Sequence, residues 1–125
     1  MNPRPHRAGK SFRLSSAEEF ERVYARRLRQ DLGWIIVHGA ANELARTRLG
    51  LSIGVRVGNA TRRVRVKRMI REAFRLTRKD MPRGLDLVVS ARAHDARPLA
   101  DYKHAIAEEA RRLASKLGIR DERDG

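Results

Sequence analysis

Residues 62–79 constrain the fold of this chain more than any other part of the sequence. They carry nine arginine or lysine residues and one acid, Glu72, while apolar residues recur among them at helical spacing. On a helical wheel the apolar side chains fill an arc of roughly 160° and the basic ones the opposite arc. The apolar arc holds Val66, Met69, Ile70, Ala73, Phe74, Leu76 and Thr77, and the basic arc Lys67, Arg68, Arg71, Arg75, Arg78 and Lys79. The pattern predicts a helix over about residues 59–79 that anchors its apolar side on a sheet.

The sign of the charge in this segment indicates a polyanionic partner. An exposed helix usually alternates acids and bases at i, i+4, because such pairs stabilise it by about 0.2–0.5 kcal/mol each and like charges destabilise it similarly. The whole chain has 29 basic residues against 15 acids, a formal charge of +14, and this self-repulsion favours neutralisation by a polyanion. No apolar run approaches the roughly 18 residues of a membrane-spanning helix, so nucleic acid is favoured over a membrane.

The remaining periodicity predicts a single α+β domain, for which 125 residues suffice. Ser16 and Glu19 form a capping-box pattern at the start of a first helix. Helices are expected at residues 17–29, 59–79 and 101–117, and strands at 33–40, 49–57 and 85–92. The element order is αβββαβα if residues 35–40 and 46–57 pair through a hairpin that includes an intermediate strand, and αββαβα otherwise. Residues 1–10 are predicted to be a flexible basic arm, 11–118 the domain and 119–125 a flexible tail.

Alternating strands and helices favour RNA over DNA as the partner. A helix-turn-helix protein would be mostly helical and would carry Asn or Gln on its recognition face, whereas a sheet beside a basic helix suits the recognition of RNA shape and single strands. Two alternatives stay open from composition alone. One is a structural RNA-binding protein, such as a ribosomal or assembly factor, and the other is a DNA-binding or nucleoid protein.

The chain offers few candidates for protein catalysis. It has no cysteine, which excludes disulfides and thiolate zinc sites and fits a cytoplasmic location. The carboxylate of Asp86 is interpreted as a surface or capping group, and the acids of the first helix as partners of its dipole. The histidines are scattered, with no second ligand or nucleophile at useful spacing; they are His6, His38, His94 and His104.

Residues 50–75 resemble the signature of the bacterial ribonuclease P protein subunit. The matching motifs are Gly58-Asn59-Ala60, Arg63-Val64-Arg65, Val66-Lys67-Arg68 and Arg71-Glu72-Ala73-Phe74-Arg75. The likeness extends to "FRLSSAEEFERVY" and to residues 85–113, and therefore covers about residues 10–117. Val64 departs from the family, which has Asn between the two arginines; the change removes two hydrogen-bond donors and an acceptor.

The resemblance implies a fold and a role. The fold would be a single-domain αβββαβα sandwich with a mixed central sheet and a left-handed βαβ crossover. The chain would bind the catalytic ribonuclease P RNA as a monomer in a 1:1 complex. It would also bind the 5′ leader of precursor tRNA and assist its endonucleolytic removal. The chemistry would belong to the RNA and its bound Mg²⁺, with no catalytic residue in the protein.

The resemblance also assigns residues to two surfaces. Contact with the RNA subunit falls to Arg62, Arg63, Arg65, Lys67, Arg68, Arg71 and Arg75. The leader would lie in a cleft between the first helix and the sheet, lined by Phe20, Tyr24, Arg13, Ile35, Val37, Ser52, Arg56 and Ser90. Composition alone interprets Phe20 and Tyr24 as core, because they lie at i, i+4 on an apolar stripe. Trp34 is expected to pack at a sheet edge and Tyr102 in the core.

Overall fold

The computed structural model describes residues 12–119, so the predicted arm and most of the predicted tail lie outside the described residues. Three helices and a four-stranded sheet make up the domain. In chain order they are α1 (Ala17–Ala25), β1 (Arg29–Asp31), β2 (Ile35–Ala41), β3 (Arg48–Ser52), α2 (Ala60–Thr77), β4 (Leu85–Ala91) and α3 (Leu99–Lys116). The predicted α+β class and αβββαβα order are confirmed.

The sheet is mixed, with strand order β1-β2-β4-β3. β1 pairs with β2 and β2 with β4 in antiparallel fashion, whereas β3 and β4 are parallel and are connected through α2. The predicted hairpin between residues 35–40 and 46–57 is wrong, because β4 separates β2 from β3. The left-handed sense of the crossover stays a prediction.

The strand that the sequence did not predict, β1, begins at Arg29, where the first helix was expected to end. α1 ends at Ala25, and Arg27 adopts a left-handed conformation (φ 57°) that turns the chain back. Leu28 then packs against the main core, and its carbonyl oxygen accepts a hydrogen bond from Gly39 N–H at 3.1 Å. Tertiary packing therefore overrides the helical periodicity of this segment.

The strand predicted over residues 49–57 is also shorter in the structure. β3 ends at Ser52, and Val55–Val57 form a 3₁₀ turn. Gly58 follows with φ 144°, which a residue with a side chain rarely adopts. Asn59 then caps α2 by accepting a hydrogen bond from Arg62 N–H at 2.9 Å. This turn fixes the start of the basic helix.

The two faces of the sheet carry different layers. α2 and α3 cover the face formed by odd-numbered strand residues such as Val37, Leu87 and Val89, and this is the main core. α1 covers part of the opposite face with Val23, which packs against Val88. Tyr102 is buried in the main core, as predicted. Ile119 also packs against this core, so the folded unit reaches one residue into the predicted tail.

Gly50 allows α1 to lie directly on the backbone of β3. A Cβ atom at this position would come within 2.7 Å of Phe20 Cζ and 3.1 Å of Leu14 Cβ, and both distances are shorter than an ordinary van der Waals contact. The spacing between α1 and β3 therefore depends on the absence of a side chain at residue 50.

Asp86 corrects the interpretation drawn from the sequence. It is fully buried, not a surface group, and it forms ion pairs with Arg22 and with Arg48, the latter at 2.8 Å. Asn42 also donates to its Oδ1 at 2.8 Å. Burial alone would raise the pKa of Asp86, but the hydrogen bonds from Arg48, Asn42 and Arg22 outweigh burial and hold the pKa below its usual value. The group joins β4 to α1, to β3 and to the loop that follows β2.

Candidate nucleic-acid interface

The solvent-facing side of α2 carries the predicted basic surface. Val66, Ile70 and Phe74 are buried on the side toward the core. Leu76 departs from the predicted apolar arc, since 41% of its surface is exposed. We call the opposite side the arginine face. It comprises the seven predicted RNA-contacting residues, five of them exposed (Arg62, Arg65, Arg68, Arg71 and Arg75) and two half-buried (Arg63 and Lys67).

Most of the arginine face lacks an acidic partner among residues 12–119. Within residues 12–119, the one ion pair that involves it joins Arg75 to Glu72, with Nη2 and Oε2 2.5 Å apart. This pair lowers the pKa of Glu72 and raises that of Arg75. Arg63 instead donates to the carbonyl oxygen of Gly58 at 2.8 Å. Within this part of the chain, no carboxylate neutralises the remaining charges of the face.

Val64 lies on the same exposed side, with 52% of its surface accessible. An exposed β-branched apolar residue in the middle of a charged helix face gains nothing from solvent. It presents its methyl groups among Thr61, Arg65 and Arg68, with which it lines an open depression. The family's Asn is therefore replaced at a position that faces outward.

The C-terminal half of α2 borders a groove at the free edge of β3, which we call the edge groove. Residues 12–14 run beside β3, where Leu14 N–H donates to the carbonyl oxygen of Leu49 at 2.9 Å. The groove has a volume of about 530 Å³ and an apolar floor formed by Phe12, Leu14, Phe20, Leu49, Leu51 and Phe74. Arg13, Arg71, Arg75 and Arg78 surround it, and the Arg78 guanidinium stacks on the Phe12 ring at 3.9 Å. An aromatic floor with guanidinium walls suits an unstacked base and its phosphates.

The part of the sheet that α1 leaves uncovered forms a second candidate surface, the sheet cleft. Ser90 is in register with Ile36 of β2 and with Ser52 of β3, so these side chains share the α1 face. Tyr24 borders them, 39% exposed, and packs edge-on against His38 with ring centroids 4.9 Å apart. Burial, with the charge of Arg29, lowers the pKa of His38, which keeps the imidazole neutral at neutral pH.

The structure places the predicted leader-binding residues unequally. Ile35 and Val37 are wrong, because they are fully buried in the main core on the opposite face of the sheet. Tyr24, Ser52 and Ser90 are accessible at the sheet cleft. Arg13 lies at the edge groove, and Arg56 is exposed on the 3₁₀ turn after β3. Phe20 packs against Val88 and Leu14 and also lines the edge groove, so the core and binding interpretations both describe it.

The residues that the sequence assigns to the two binding surfaces do not include His38, Phe12 or Arg78. A strand alternates its side chains between faces, and Ser52 and Ser90 were already assigned to the cleft. In the structure Ile36 pairs with Ser90, so the even-numbered residues of β2 share its face, and this register, which the sequence does not contain, places His38 and not Val37 on that face. Phe12 had no comparable signal, because its position depends on the pairing of residues 12–14 with β3.

No cluster of three or more His, Asp or Glu side chains that could hold a metal ion occurs within residues 12–119. The groups of this part of the chain therefore do not fit a Mg²⁺ site, and no metal-dependent step is assigned to them. The helices of the described region are also too short or too polar to cross a membrane.

Comparison with known proteins agrees with this architecture. A family model described as Ribonuclease P matches residues 9–118. The ribonuclease P protein component of Caldanaerobacter subterraneus subsp. tengcongensis is 31% identical over 112 residues, which cover 90% of this chain and 94% of the relative. That of Clostridium botulinum is 35% identical over 112 residues, or 88% of this chain and 97% of the relative.

Solved structures give the same result. The RNase P protein of Staphylococcus aureus superposes with a TM-score of 0.68 at 28% identity, covering 82% of this chain and 94% of the other. The RNase P protein of Thermotoga maritima superposes with a TM-score of 0.72 over 81% and 96% of the two chains, and at 24% identity it bears on the fold alone. The chain therefore belongs to the ribonuclease P protein family, the protein components of a tRNA-processing ribonuclease.

Proposed function

We propose that this protein binds the ribonuclease P RNA subunit through the arginine face and the 5′ leader of precursor tRNA through the sheet cleft. In this role it assists Mg²⁺-dependent removal of the leader by the RNA subunit. The complex would contain one copy of each subunit and act in the cytoplasm.

The observation that carries the proposal is the unneutralised charge on α2. Arg62, Arg65, Arg68 and Arg71 are exposed and have no carboxylate partner within the described chain. Each arginine that meets an RNA phosphate releases condensed counterions. With about six to nine such contacts, log K should fall against log salt with a slope of roughly −5 to −8.

The shape of the second surface supports single-stranded RNA as its ligand. The sheet cleft offers a Tyr24 ring and two hydroxyls, those of Ser52 and Ser90, that can accept or donate hydrogen bonds. Beyond Phe20 the edge groove adds aromatic floor and guanidinium walls. A flexible leader can lay bases on such rings while its phosphates meet the arginines.

Catalysis is assigned to the RNA subunit and the Mg²⁺ it holds. The protein contributes substrate affinity. Two of its carboxylates have structural roles, Asp86 in the buried ion pairs and Glu19 in the capping box of α1.

Reconstitution tests the proposal. The full chain is mixed with its cognate ribonuclease P RNA at low Mg²⁺, and leader removal from a precursor tRNA is measured against the RNA alone. We expect clear stimulation. If the chain gives none while a homologous subunit stimulates its own RNA under the same conditions, the cleavage role is refuted and a structural RNA-binding protein, such as a ribosomal or assembly factor, takes its place.

Tyr24→Ala tests the sheet cleft more cleanly than Phe20→Ala does. Tyr24 is exposed, whereas Phe20 supports the packing on Gly50 and Leu14. Loss of one base-stacking ring costs about 1–3 kcal/mol, so Tyr24→Ala should weaken affinity for precursor tRNA at least about fivefold and leave affinity for mature tRNA unchanged. Equal weakening of affinity for both RNAs would show that the leader does not bind at the sheet cleft. Phe20→Ala should lower the unfolding midpoint as well.

A further inference from the structure

A small cavity lies between the first half of α2 and the loop that connects β4 to α3; we call it the loop pocket. Its volume is about 50 Å³, several times the roughly 10–15 Å³ that one water molecule needs. Three arginines from two elements line it, Arg62 and Arg65 from α2 and Arg97 from the loop. Arg97 lies outside the helix that supplies the RNA-contacting residues.

The floor of the loop pocket is rigid and aromatic. His94 Nδ1 lies 2.8 Å from the carbonyl oxygen of Arg92, which can only accept, so Nδ1 carries a proton. In the neutral ring Nε2 then accepts from the hydroxyl of Tyr102 at 2.7 Å. Trp34 packs edge-on against both rings, with centroids 5.2 Å from His94 and 5.0 Å from Tyr102.

The same aromatic group positions the loop arginine. The Arg97 guanidinium carbon lies 4.0 Å above the centre of the Trp34 ring, and Nη1 contacts Asp101 at 3.2 Å. Stacking on an aromatic face and a carboxylate on one side restrict the guanidinium to few orientations. Its remaining donors stay available to a ligand.

The charge balance of the loop pocket favours an anion. Three arginines line it against one carboxylate, that of Asp95, and Asp101 is already paired with Arg97. Burial raises the pKa of Tyr102, while Arg97 and Arg65 act in the opposite direction. Asp101 acts in the same direction as burial.

We propose that the loop pocket binds a phosphate group held by Arg62, Arg65 and Arg97. The group is a phosphodiester of a bound RNA or a free phosphate ion; both present oxygen acceptors that guanidinium donors match. The RNA source rests on the proposed function, whereas the free ion does not. The loop after β4 thus extends the arginine face beyond α2.

Trp34 makes the pocket observable, because it is the one tryptophan of the sequence and touches Arg97, His94 and Tyr102. The full chain is titrated with sodium phosphate against sodium chloride at constant ionic strength, and Trp34 fluorescence is followed together with calorimetric binding. We expect a saturable change with phosphate that chloride does not produce. No saturable change would overturn the proposal.

Two variants locate the binding. Arg65→Gln leaves the Arg97–Trp34 stack in place and is followed by fluorescence; Arg97→Gln is followed by calorimetry because it alters the reporter. A hydrogen bond to a charged group contributes about 1.5–3 kcal/mol, so each variant should weaken phosphate binding at least about tenfold. Lys116→Gln, which removes one exposed charge at the far end of α3, should bind like the wild type. Equal behaviour of all three variants would also overturn the proposal.

The RNA arm identifies the source of the phosphate. With cognate ribonuclease P RNA, Arg97→Gln should lower the slope of log K against log salt by about one if a phosphodiester fills the pocket. An unchanged slope, with phosphate binding still dependent on Arg97, assigns the pocket to the free ion. If reconstitution shows no stimulation of cleavage while phosphate still binds, the proposed function fails and the phosphate site stands. If cleavage is stimulated, but phosphate does not bind and Arg97→Gln leaves the salt slope unchanged, the proposed function stands and the phosphate site fails.

Discussion

The Asp86 network and the arginine face handle positive charge in opposite ways. Around Asp86, two arginines from different elements meet one buried carboxylate, and Asn42 supplies a further donor. On α2, Arg62, Arg65 and Arg68 lie together at the surface without a carboxylate partner in the described chain. Asp86 thus joins separate elements, whereas Glu72 is the one acid of α2 and pairs only with Arg75 in the described chain.

This difference separates the structural arginines from those available for binding. Arg22 and Arg48 are tied to Asp86, and Arg92 is tied to Asp31 by hydrogen bonds of 2.7 and 2.8 Å. Removing one partner of such a pair leaves a charge without compensation, whereas removing an unpaired surface arginine relieves repulsion. The four predictions below test this contrast.

The largest effect is expected for Asp86→Asn. Removing the carboxylate leaves Arg48 and Arg22 without their shared partner, and breaking a buried pair in this way costs about 3–5 kcal/mol. Urea unfolding should show the loss of stability. Glu21→Gln, which removes an exposed acid of α1, should unfold like the wild type. If both variants behave alike, the network around Asp86 does not stabilise the fold.

A double substitution of Arg65 and Lys67 to Ala should weaken RNA binding and leave the stability of the fold nearly unchanged. Two phosphate contacts would be lost, so the slope of log K against log salt for the RNA subunit should fall by about two. The unfolding free energy should change by less than about 0.5 kcal/mol, as is usual for surface positions. A large loss of stability would show that these side chains support the fold and would contradict their assignment to the arginine face.

Acid should destabilise the fold by protonating the paired carboxylates of Asp31 and Asp86. Hydrogen bonds from Arg92 and Gly33 lower the pKa of Asp31, and that of Asp86 is lowered by Arg48, Asn42 and Arg22 despite burial. Groups with a lowered pKa in the folded state stabilise it above their unfolded values, which lie near 4, and the stabilisation is lost as the pH falls through the folded values. The thermal midpoint should therefore drop below about pH 4. The drop should be shallower in Asp86→Asn, and an equal slope in both proteins would argue against Asp86 as its source.

The smallest effect is expected for Glu72→Gln. Its pair with Arg75 is exposed, and pairs of this kind contribute little to stability, so the unfolding midpoint should not change measurably. Freeing Arg75 should increase affinity for the RNA subunit slightly at low salt, an effect that filter binding can detect. A decrease in affinity would mean that Glu72 itself helps to position Arg75.

Helices and strands with a strong periodicity of apolar residues were predictable from the sequence. The expected helix over residues 59–79 is α2 with Asn59 as its cap, and the capping box at Ser16 and Glu19 is present. Strands β2 and β4 were also found within two residues of their bounds. These features depend on local spacing, which a single sequence contains.

Features that depend on distant pairing were not predictable. Helical periodicity continued through Leu28, but packing against the main core converted the next residues to β1. Ile35 and Val37 were assigned to the wrong face because the register of β2 with β4 is a tertiary property. Asp86 was interpreted as a surface group because its partners, Arg22 and Arg48, are 64 and 38 residues away in the chain.

Gly50 supports the packing of Phe20, so the edge groove depends on the absence of a side chain at residue 50. Phe20 lies over the α carbon of Gly50 and lines the edge groove. A single methyl group added at residue 50 would displace the Phe20 ring and reshape the edge groove. A substitution at residue 50 would therefore change the edge groove from a backbone position of β3.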